Sequence, residues 1–266
     1  MTDRSRKPVE PEATGSAAGL VGPVIRGLRL LEYVAQGGST ENLSEVGRLI
    51  DVNRVTVMRL LATLEHEGML EKLPGGGHRV GLRYLTMAAT ALGGHDLLSA
   101  GRRVVRDLCQ KTGHASYMSL PSGSDITYVL REMPPAGLVS LITIGSRVAA
   151  WRAAPGRAML AALPLDDMLK IPGLVTLSVT DAEAHTRLLS QLALIREQGY
   201  AWSYSGLEQG ITACAAAVTD ASGRPVAALS VAGPTQALEE AQVRDNLQNT
   251  LVQSAVQLSA IAAIDH

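Results

Sequence analysis

Apolar residues recur at helical spacing in three segments of the first seventy residues. The first segment begins at Pro23, which suits the first turn of a helix, and ends at Gly37-Gly38. The second covers residues 44–50, with Ser44 as its N-cap, and the third covers residues 53–67. One face of the third helix carries Val57, Leu60, Leu61 and Leu64. The pattern therefore predicts three short amphipathic helices in close succession.

The breaks between these segments indicate how they connect. Asp51 lies in the short turn before the third helix, where Asp tolerates the left-handed backbone that such a turn requires. After that helix, two extended runs flank the Pro-Gly-Gly-Gly segment 74–77, which predicts a β-hairpin. A further helix is predicted over residues 82–92. Residues 1–22 show no period and are predicted to form a flexible tail.

From residue 96 onward the pattern mixes helices with strands. The predicted helices cover residues 97–111, 157–163, 165–170, 181–198 and 239–263. The predicted strands cover residues 115–120, 126–131, 138–144, 213–219 and 226–231. This alternation predicts an α+β second half that is distinct from the helical first half.

Composition excludes several classes of protein. The chain is 46% hydrophobic and 18% charged, which is typical of a folded protein. It contains no apolar run of about 18 residues, and its first eleven residues lack the apolar core of a secretory signal. The two cysteines, Cys109 and Cys214, cannot form a disulfide framework or a zinc site, so we expect a cytoplasmic protein with reduced thiols. The scattered histidines and the lack of a nucleophile or phosphate motif predict no metal, no cofactor and no catalytic residue.

Three helices followed by a glycine-tipped hairpin is the order of a winged helix-turn-helix domain. The leucine face would pack the third helix against the other two and leave its opposite face free to enter a major groove. Its first turns carry Asn53, Arg54, Thr56 and Arg59, and the hairpin adds Lys72, His78 and Arg79. Arg can bind guanine or phosphate, Asn suits adenine, and Thr suits a phosphate or a thymine methyl group.

Net charge does not by itself indicate a nucleic-acid partner. The whole chain has a formal charge of −1, and residues 23–85 hold eight Lys and Arg against seven Asp and Glu. Only the placement of the basic residues therefore supports DNA binding. A three-helix domain that contacts another protein stays an alternative.

Seven blocks, in order along the chain, carry a resemblance to a known family. They cover residues 24–32, 43–46, 56–65, 79–82, 154–161, 195–201 and 228–234. Through these blocks the chain resembles the IclR family of bacterial transcriptional regulators over nearly its whole length after residue 22. Several blocks in the right order are a stronger signal than any single motif.

The resemblance implies a division into four parts. These are a flexible tail (1–22), a winged helix-turn-helix DNA-binding domain (23–81), a linker helix (82–95) and a GAF-like domain for effector binding and oligomerisation (96–266). It implies a homodimer or a dimer of dimers that binds double-stranded operator DNA and responds to a small organic effector. A repressor is expected more than an activator.

The resemblance also implies roles for individual residues. Arg26 and Arg59 correspond to phosphate anchors, and Arg54 and Thr56 to base or backbone readers. The predicted DNA-binding residues are Arg26, Ser44, Asn53, Arg54, Thr56, Arg59 and Arg79. The predicted effector-binding residues are Val148, Ala154, Pro155, Ser203, Ala213, Cys214, Ser230 and Ala232.

The chain departs from the family pattern where the effector pocket is expected. Residues 203–206 read Ser-Tyr-Ser-Gly where the family commonly has an acidic pair, and Ala232 stands in place of a serine. The family's Ala-Pro-Val reads Ala-Ala-Val at 216–218, its Gly-Lys-Ala reads Gly-Arg-Ala at 156–158, and Asp51 replaces a glycine. These changes predict a less acidic, less hydroxylated pocket. The effector is therefore expected to be partly apolar or aromatic, rather than a very small 2-oxo acid.

Two further functions were compared with DNA-dependent regulation. An enzyme that carries a helix-turn-helix module is disfavoured, because no paired general acid and base lies near the pocket segments. A protein-docking adaptor that uses the winged domain would differ from a DNA binder in a gel shift with salt titration.

Overall fold

The computed structural model describes residues 20–84, 86–87, 96–135 and 142–263. The chain divides into two compact units, one before and one after residue 91. Each unit has its own hydrophobic core. Within the described residues, no helix is long and apolar enough to cross a membrane.

The first unit is a three-helix domain with a two-stranded wing. Its elements are α1 (Gly22–Ala35), α2 (Leu43–Leu49), α3 (Arg54–His66), β1 (Leu70–Lys72) and β2 (His78–Val80), with β1 and β2 antiparallel. Its buried core consists of Leu30, Leu31, Val34, Val46, Ile50, Val57, Leu61 and Leu70. The predicted winged helix-turn-helix order is confirmed, because the apolar face of α3 packs into this core.

The turn between α2 and α3 depends on two residues. Asp51 has a φ of +56°, the left-handed conformation that the sequence predicted. Gly47 is packed so closely that a Cβ there would lie 2.5 Å from the carbonyl oxygen of Val52. Asp at the turn and Gly in α2 therefore let the two helices meet at a short connection.

The N-cap predicted for α2 is wrong by two residues. Asn42 is the cap, because its Oδ1 accepts a hydrogen bond from the backbone N–H of Glu45 at 3.3 Å. Ser44 lies inside the helix and is exposed. Both residue types cap helices well, so local sequence does not distinguish them.

The second unit is built on one antiparallel sheet of six strands, in the order β5-β4-β3-β8-β7-β6. The strands are β3 (Ala115–Ser122), β4 (Asp125–Glu132), β5 (Arg147–Ala149), β6 (Ala201–Tyr204), β7 (Ile211–Thr219) and β8 (Pro225–Pro234). The helices are α4 (Asp96–Thr112), α5 (Ala154–Ala162), α6 (Leu165–Met168), α7 (Pro172–Thr180), α8 (Ala182–Gln198) and α9 (Ala241–Ala262). A 3-10 turn, Thr235–Leu238, joins β8 to α9. The α+β class is confirmed.

Each face of this sheet is covered by its own core. One core joins the sheet to α5, α7 and α8, and the other joins it to α4 and α9. Small residues allow the close packing: a Cβ on Gly156 in α5 would lie 2.1 Å from the carbonyl oxygen of Ala150. The alanines of β7 alternate between the two cores.

Several predicted elements differ from the observed ones. A strand was predicted over 138–144, but residues 142–146 form a loop, the edge strand is β5, and residues 136–141 lie outside the described part. Helix α7 and strand β6 were not predicted, because Pro172–Thr180 has no polar face and β6 has four residues. Of the predicted linker helix, residues 83–84 and 86–87 are helical, and the remainder after residue 87 lies outside the described residues.

Candidate nucleic-acid interface and ligand cavity

Helix α3 exposes one continuous face. The exposed residues along it are Arg54, Val55, Met58, Arg59, Ala62, Thr63 and His66. Neither Arg54 nor Arg59 forms an ion pair with a carboxylate among the described residues. Two cationic side chains on an uncompensated helix face can bind phosphates or base edges in a groove.

Two apolar residues on this face were missed by the sequence analysis. Val55 is 56% exposed and Met58 is 50% exposed. Their spacing from the buried Val57 and Leu61 places them on the outer side of the helix. The signal was present in the sequence, because both positions fall outside the leucine stripe.

Asn53 and Thr56 come together as the cap of α3. The Oδ1 of Asn53 accepts hydrogen bonds from the Thr56 backbone N–H at 2.8 Å and from its hydroxyl at 3.0 Å. An amide oxygen has two lone pairs, so both acceptor positions are in use. The two-point contact with adenine that the sequence suggested for Asn53 would require it to give up the cap.

The two other predicted contacts on α1 and α2 differ in exposure. Ser44 is exposed on α2. Arg26 is half-buried, and its guanidinium lies along its own helix, with Nη2 3.4 Å from where a Cβ on Gly22 would be. The Nε of Arg26 is buried without a hydrogen-bond partner among the described residues. Arg26 would have to turn outward to contact a phosphate.

The wing is less basic than its sequence suggests. Arg79 is exposed, but its Nη2 and Nε donate to Oε2 of Glu71 at 2.7 and 2.9 Å. These bonds, with one from the backbone N–H of Leu82, lower the pKa of Glu71 from its usual value. The positive charge of Arg79 is therefore offset on the wing itself.

His78 does not project from the wing as predicted. Its side chain is only 9% exposed, its Nε2 bonds to the Glu65 carboxylate on α3, and its Nδ1 lies 2.7 Å from Oγ1 of Thr40. The histidine thus connects β2 to α3 and to the segment before α2. The hairpin alternation places His78 inward and Arg79 outward.

A small, partly enclosed cavity lies in the second unit, between the sheet and the segments that cover it. Its lining comprises Tyr117, Tyr128, Ile142, Ala154, Pro155, Ser203, Gly206, Leu207, Glu208, Ile211, Ala213, Ser230 and Ala232. The rings of Tyr117 and Tyr128 meet edge to face with centroids 5.6 Å apart. The lining combines apolar walls with hydroxyl groups and one carboxylate, which suits a small organic molecule.

Six of the eight residues predicted for the effector site line this cavity. They are Ala154, Pro155, Ser203, Ala213, Ser230 and Ala232. They come from α5, β6, β7 and β8, which the sheet order brings together across more than seventy residues of sequence.

The other two predicted residues lie elsewhere. Cys214 follows Ala213 on β7, so its side chain points to the opposite face of the sheet, into the core shared with α4 and α9. It is fully buried there, and burial raises the pKa of its thiol. Val148 packs on the edge strand β5 against the neighbouring core, outside the lining of the cavity.

The sequence analysis missed the other seven residues of the lining, and Glu208 is the charged one among them. It belongs to the loop between β6 and β7, where the Ser205 N–H donates to the Ile211 carbonyl at 2.8 Å and the Ile211 N–H donates to the Glu208 carbonyl at 3.2 Å. Ser205 accepts a left-handed φ of +51° in this loop. Burial, followed by the charges of Tyr117 and Glu208, raises the pKa of Tyr128 above its usual value.

Comparisons with known proteins agree with this architecture. The family described as "IclR helix-turn-helix domain" matches residues 23–74, and "Bacterial transcriptional regulator IclR C-terminal" matches residues 89–260. The chain belongs to the IclR family of bacterial transcriptional regulators. The relatives that it matches are transcriptional regulators rather than enzymes, and this chain is therefore a helix-turn-helix transcriptional regulator.

Individual members of the IclR family are similar along most of their length. The transcriptional repressor IclR of Escherichia coli K12 is 26% identical over 91% of this chain and 90% of its own. The crystal structure of a transcriptional regulator from Rhodococcus sp. RHA1 superposes with a TM-score of 0.76 at 26% identity, over 93% of this chain and all of that one. An IclR homologue from Microbacterium hydrocarbonoxydans, solved with 4-hydroxybenzoate, has a TM-score of 0.72 at 21% identity, over 91% and 99% of the two chains.

Proposed function

We propose that the protein is a cytoplasmic repressor that binds operator DNA as a homodimer or a dimer of dimers, and that a small organic effector in the second unit changes this binding. The observation that carries the proposal is the exposed face of α3 with two cations, Arg54 and Arg59, that form no ion pair within the described part of the chain. This face is the one a helix-turn-helix protein inserts in the major groove. The name of the Escherichia coli relative supports repression rather than activation.

Within this proposal, the α3 residues divide by chemistry. Arg54 and Arg59 contact phosphates or guanine, and Val55 and Met58 contact thymine methyl groups, which are the apolar feature of the major groove. Thr56 and Asn53 hold the start of α3 in place, so that its N-terminal turn faces the DNA. Ser44, and Arg26 once it turns outward, contact the backbone beside it, whereas Arg79 adds little because Glu71 offsets its charge.

The dimer is supported by an apolar stripe on α1. Val21, Val24 and Leu28 are each more than half exposed, and their spacing places them on one side of the helix. Leu20 extends the stripe beyond the helix start. A second copy of this chain would cover the stripe and pair two recognition helices for two half-sites.

The cavity supports a partly apolar effector. Its walls are mostly aliphatic and aromatic, with Tyr117 and Tyr128 at one side. An aromatic ligand in a homologue of the same fold is consistent with this class of effector.

The test is fluorescence anisotropy with duplexes from the upstream region of the gene, repeated over a salt series. We expect sequence-specific binding that weakens steeply with salt, because phosphate contacts release counterions. The double variant Arg54→Ala/Arg59→Ala should lose most of the specific binding and stay folded. A DNA affinity that changes neither with salt concentration nor with these substitutions would favour the protein-docking alternative.

A further inference from the structure

The six-stranded sheet of the second unit ends in two edge strands, and these differ in charge. Strand β5 has three residues, and its exposed Arg147 forms an ion pair with Asp125 on the neighbouring strand. Strand β6 reads Ala-Trp-Ser-Tyr and carries neither a charged residue nor a proline. Native proteins commonly use charges and prolines to keep their edge strands from pairing with other chains. Strand β6 lacks both of these devices.

The register of β6 shows which of its backbone groups face outward. Directly after the strand, the Ser205 N–H donates to the Ile211 carbonyl at 2.8 Å. Because the residues that bond to a neighbouring strand alternate along an antiparallel ladder, Ser203 also bonds to β7. The N–H and C=O groups of Trp202 and Tyr204 then point away from the sheet. The sheet has no strand on that side within the described part of the chain, so these four groups can bond to another strand.

A groove follows this open edge, between β6 and α8. Its lining includes the last three residues of β6 and, from α8, Gln191, Leu194, Ile195 and Gln198. Leu194 is 57% exposed and Tyr204 is 59% exposed. The rings of Trp202 and Tyr204 stack with their centroids 6.2 Å apart. Large apolar side chains are therefore exposed beside the outward-facing backbone groups.

The charge of the groove limits the kind of partner that fits it. Its only charged lining residue is Arg157, which is half-buried and donates to the carbonyl oxygens of Trp151 at 3.0 Å and Arg152 at 3.2 Å. A highly charged partner would therefore find no available counter-charge along β6. A second copy of this uncharged strand would meet it without like-charge repulsion.

We propose that β6 pairs with β6 of a second copy, antiparallel and around a two-fold axis at Ser203. Trp202 then exchanges both backbone hydrogen bonds with Tyr204 of the partner subunit, and Tyr204 does the same with the partner's Trp202. This register also sets each tryptophan beside a tyrosine of the other copy, and cross-strand aromatic pairs stabilise antiparallel sheets. The outward groups of the strand are thus complementary to themselves, as an interface between two identical subunits requires.

The contact joins two dimers that are paired through α1, so the inference rests on the dimer of dimers in the proposed function. Because the surface is only a few residues long, we expect it to be weak, with a Kd above about 10 µM. Below that concentration, α1 alone determines the oligomeric state. Two dimers bound at neighbouring operator sites are held close to each other, so the contact would make their binding cooperative.

The experiment is analytical ultracentrifugation of the full chain at about 5 µM and about 200 µM, on either side of the expected Kd. We expect the wild type to be dimeric at the lower concentration and to form species larger than dimers at the higher one. Tyr204→Lys should stay dimeric at both, because a charge on an edge strand opposes pairing. Val179→Lys, at the most exposed valine of α7, is the control and should associate like the wild type.

A charge-reversal pair distinguishes lost pairing from lost folding. Tyr204→Glu alone should also stay dimeric, whereas its equimolar mixture with Tyr204→Lys should regain the larger species, since opposite charges then meet diagonally across the axis.

Three results would overturn the inference and leave the α1 dimer and operator binding standing. They are a wild type that stays dimeric at the higher concentration, larger species that Tyr204→Lys leaves unchanged, and a mixture that associates no more than its two components. A wild type that is monomeric at both concentrations would contradict the dimer of the proposed function as well.

Discussion

Basic side chains in the first unit differ in whether a neighbouring carboxylate already neutralises their charge. Arg59 is exposed on α3 without an ionic partner among the described residues, whereas Arg79 on the wing is paired with Glu71. From sequence both are basic residues near a helix-turn-helix motif. Only their partners distinguish a cation that can replace DNA counterions from one that is already compensated.

We expect Arg59→Ala to weaken DNA binding on all sequences and to lower the slope of log affinity against log salt by about 1. Arg79→Ala should change that slope by less than about 0.5, because Glu71 already neutralises the removed charge. The measurement is an anisotropy titration at four or more salt concentrations.

The matched control is Glu71→Gln, which frees Arg79 and removes a negative charge from the wing. It should strengthen DNA binding. Equal losses for the two arginine variants, or weaker binding by Glu71→Gln, would contradict the pairing argument.

At the scale of elements, the start of α3 depends on one side chain with two hydrogen bonds. The Asn53 cap satisfies the backbone N–H of Thr56 and also orients its hydroxyl. The other end of the helix is held by the contact of Glu65 with His78 of the wing. The recognition helix is therefore positioned at both ends by polar contacts and along its length by the leucines.

We expect Asn53→Ala to destabilise the first turn of α3 by about 1 kcal/mol, which is typical of a lost N-cap. Hydrogen exchange of the α3 amides in the full chain should become correspondingly faster. Asn53→Ser keeps an oxygen acceptor for the cap and should restore both the exchange protection and most of the DNA affinity. If Asn53→Ser protected α3 but still lost DNA binding, Asn53 would be a base reader in addition to a cap.

At the scale of the whole molecule, the proposed regulation requires two copies of the first unit on one operator and a ligand signal from the second unit. Coupling between effector and DNA of this kind is typically about 1–3 kcal/mol, enough to change occupancy several-fold. The exposed stripe of α1 is the described feature that best supports pairing of the DNA-binding units.

We expect Val24→Glu combined with Leu28→Glu to shift the protein towards monomers and to weaken operator binding by more than about tenfold, since a monomer reads a single half-site. Analytical ultracentrifugation and anisotropy would measure the two effects. Val179→Glu, at the most exposed valine of α7, is the control and should leave operator binding unchanged. Dimers that persist in the double variant would place the pairing surface elsewhere.

Much of the fold was predictable because its determinants are local. The stripe of Val57, Leu60, Leu61 and Leu64, the left-handed Asp51 and the glycine-tipped hairpin each depend on residues close together in the chain. Six of the residues that the family resemblance implied for the effector site line one cavity. Elements without an amphipathic pattern, such as α7, gave no such signal.

The sequence by itself determined the helix-turn-helix unit, the α+β class and the family, since helical periodicity and short turns are set by neighbouring residues. The tertiary structure decided what each side chain meets. It put Cys214 in the opposite core from Ala213, His78 beneath the wing, Arg79 against Glu71, and Glu208 in the wall of the cavity. The phase of a strand and the path of a loop are set by partners that lie far away in the chain, so the full lining of the cavity could not be derived from local sequence.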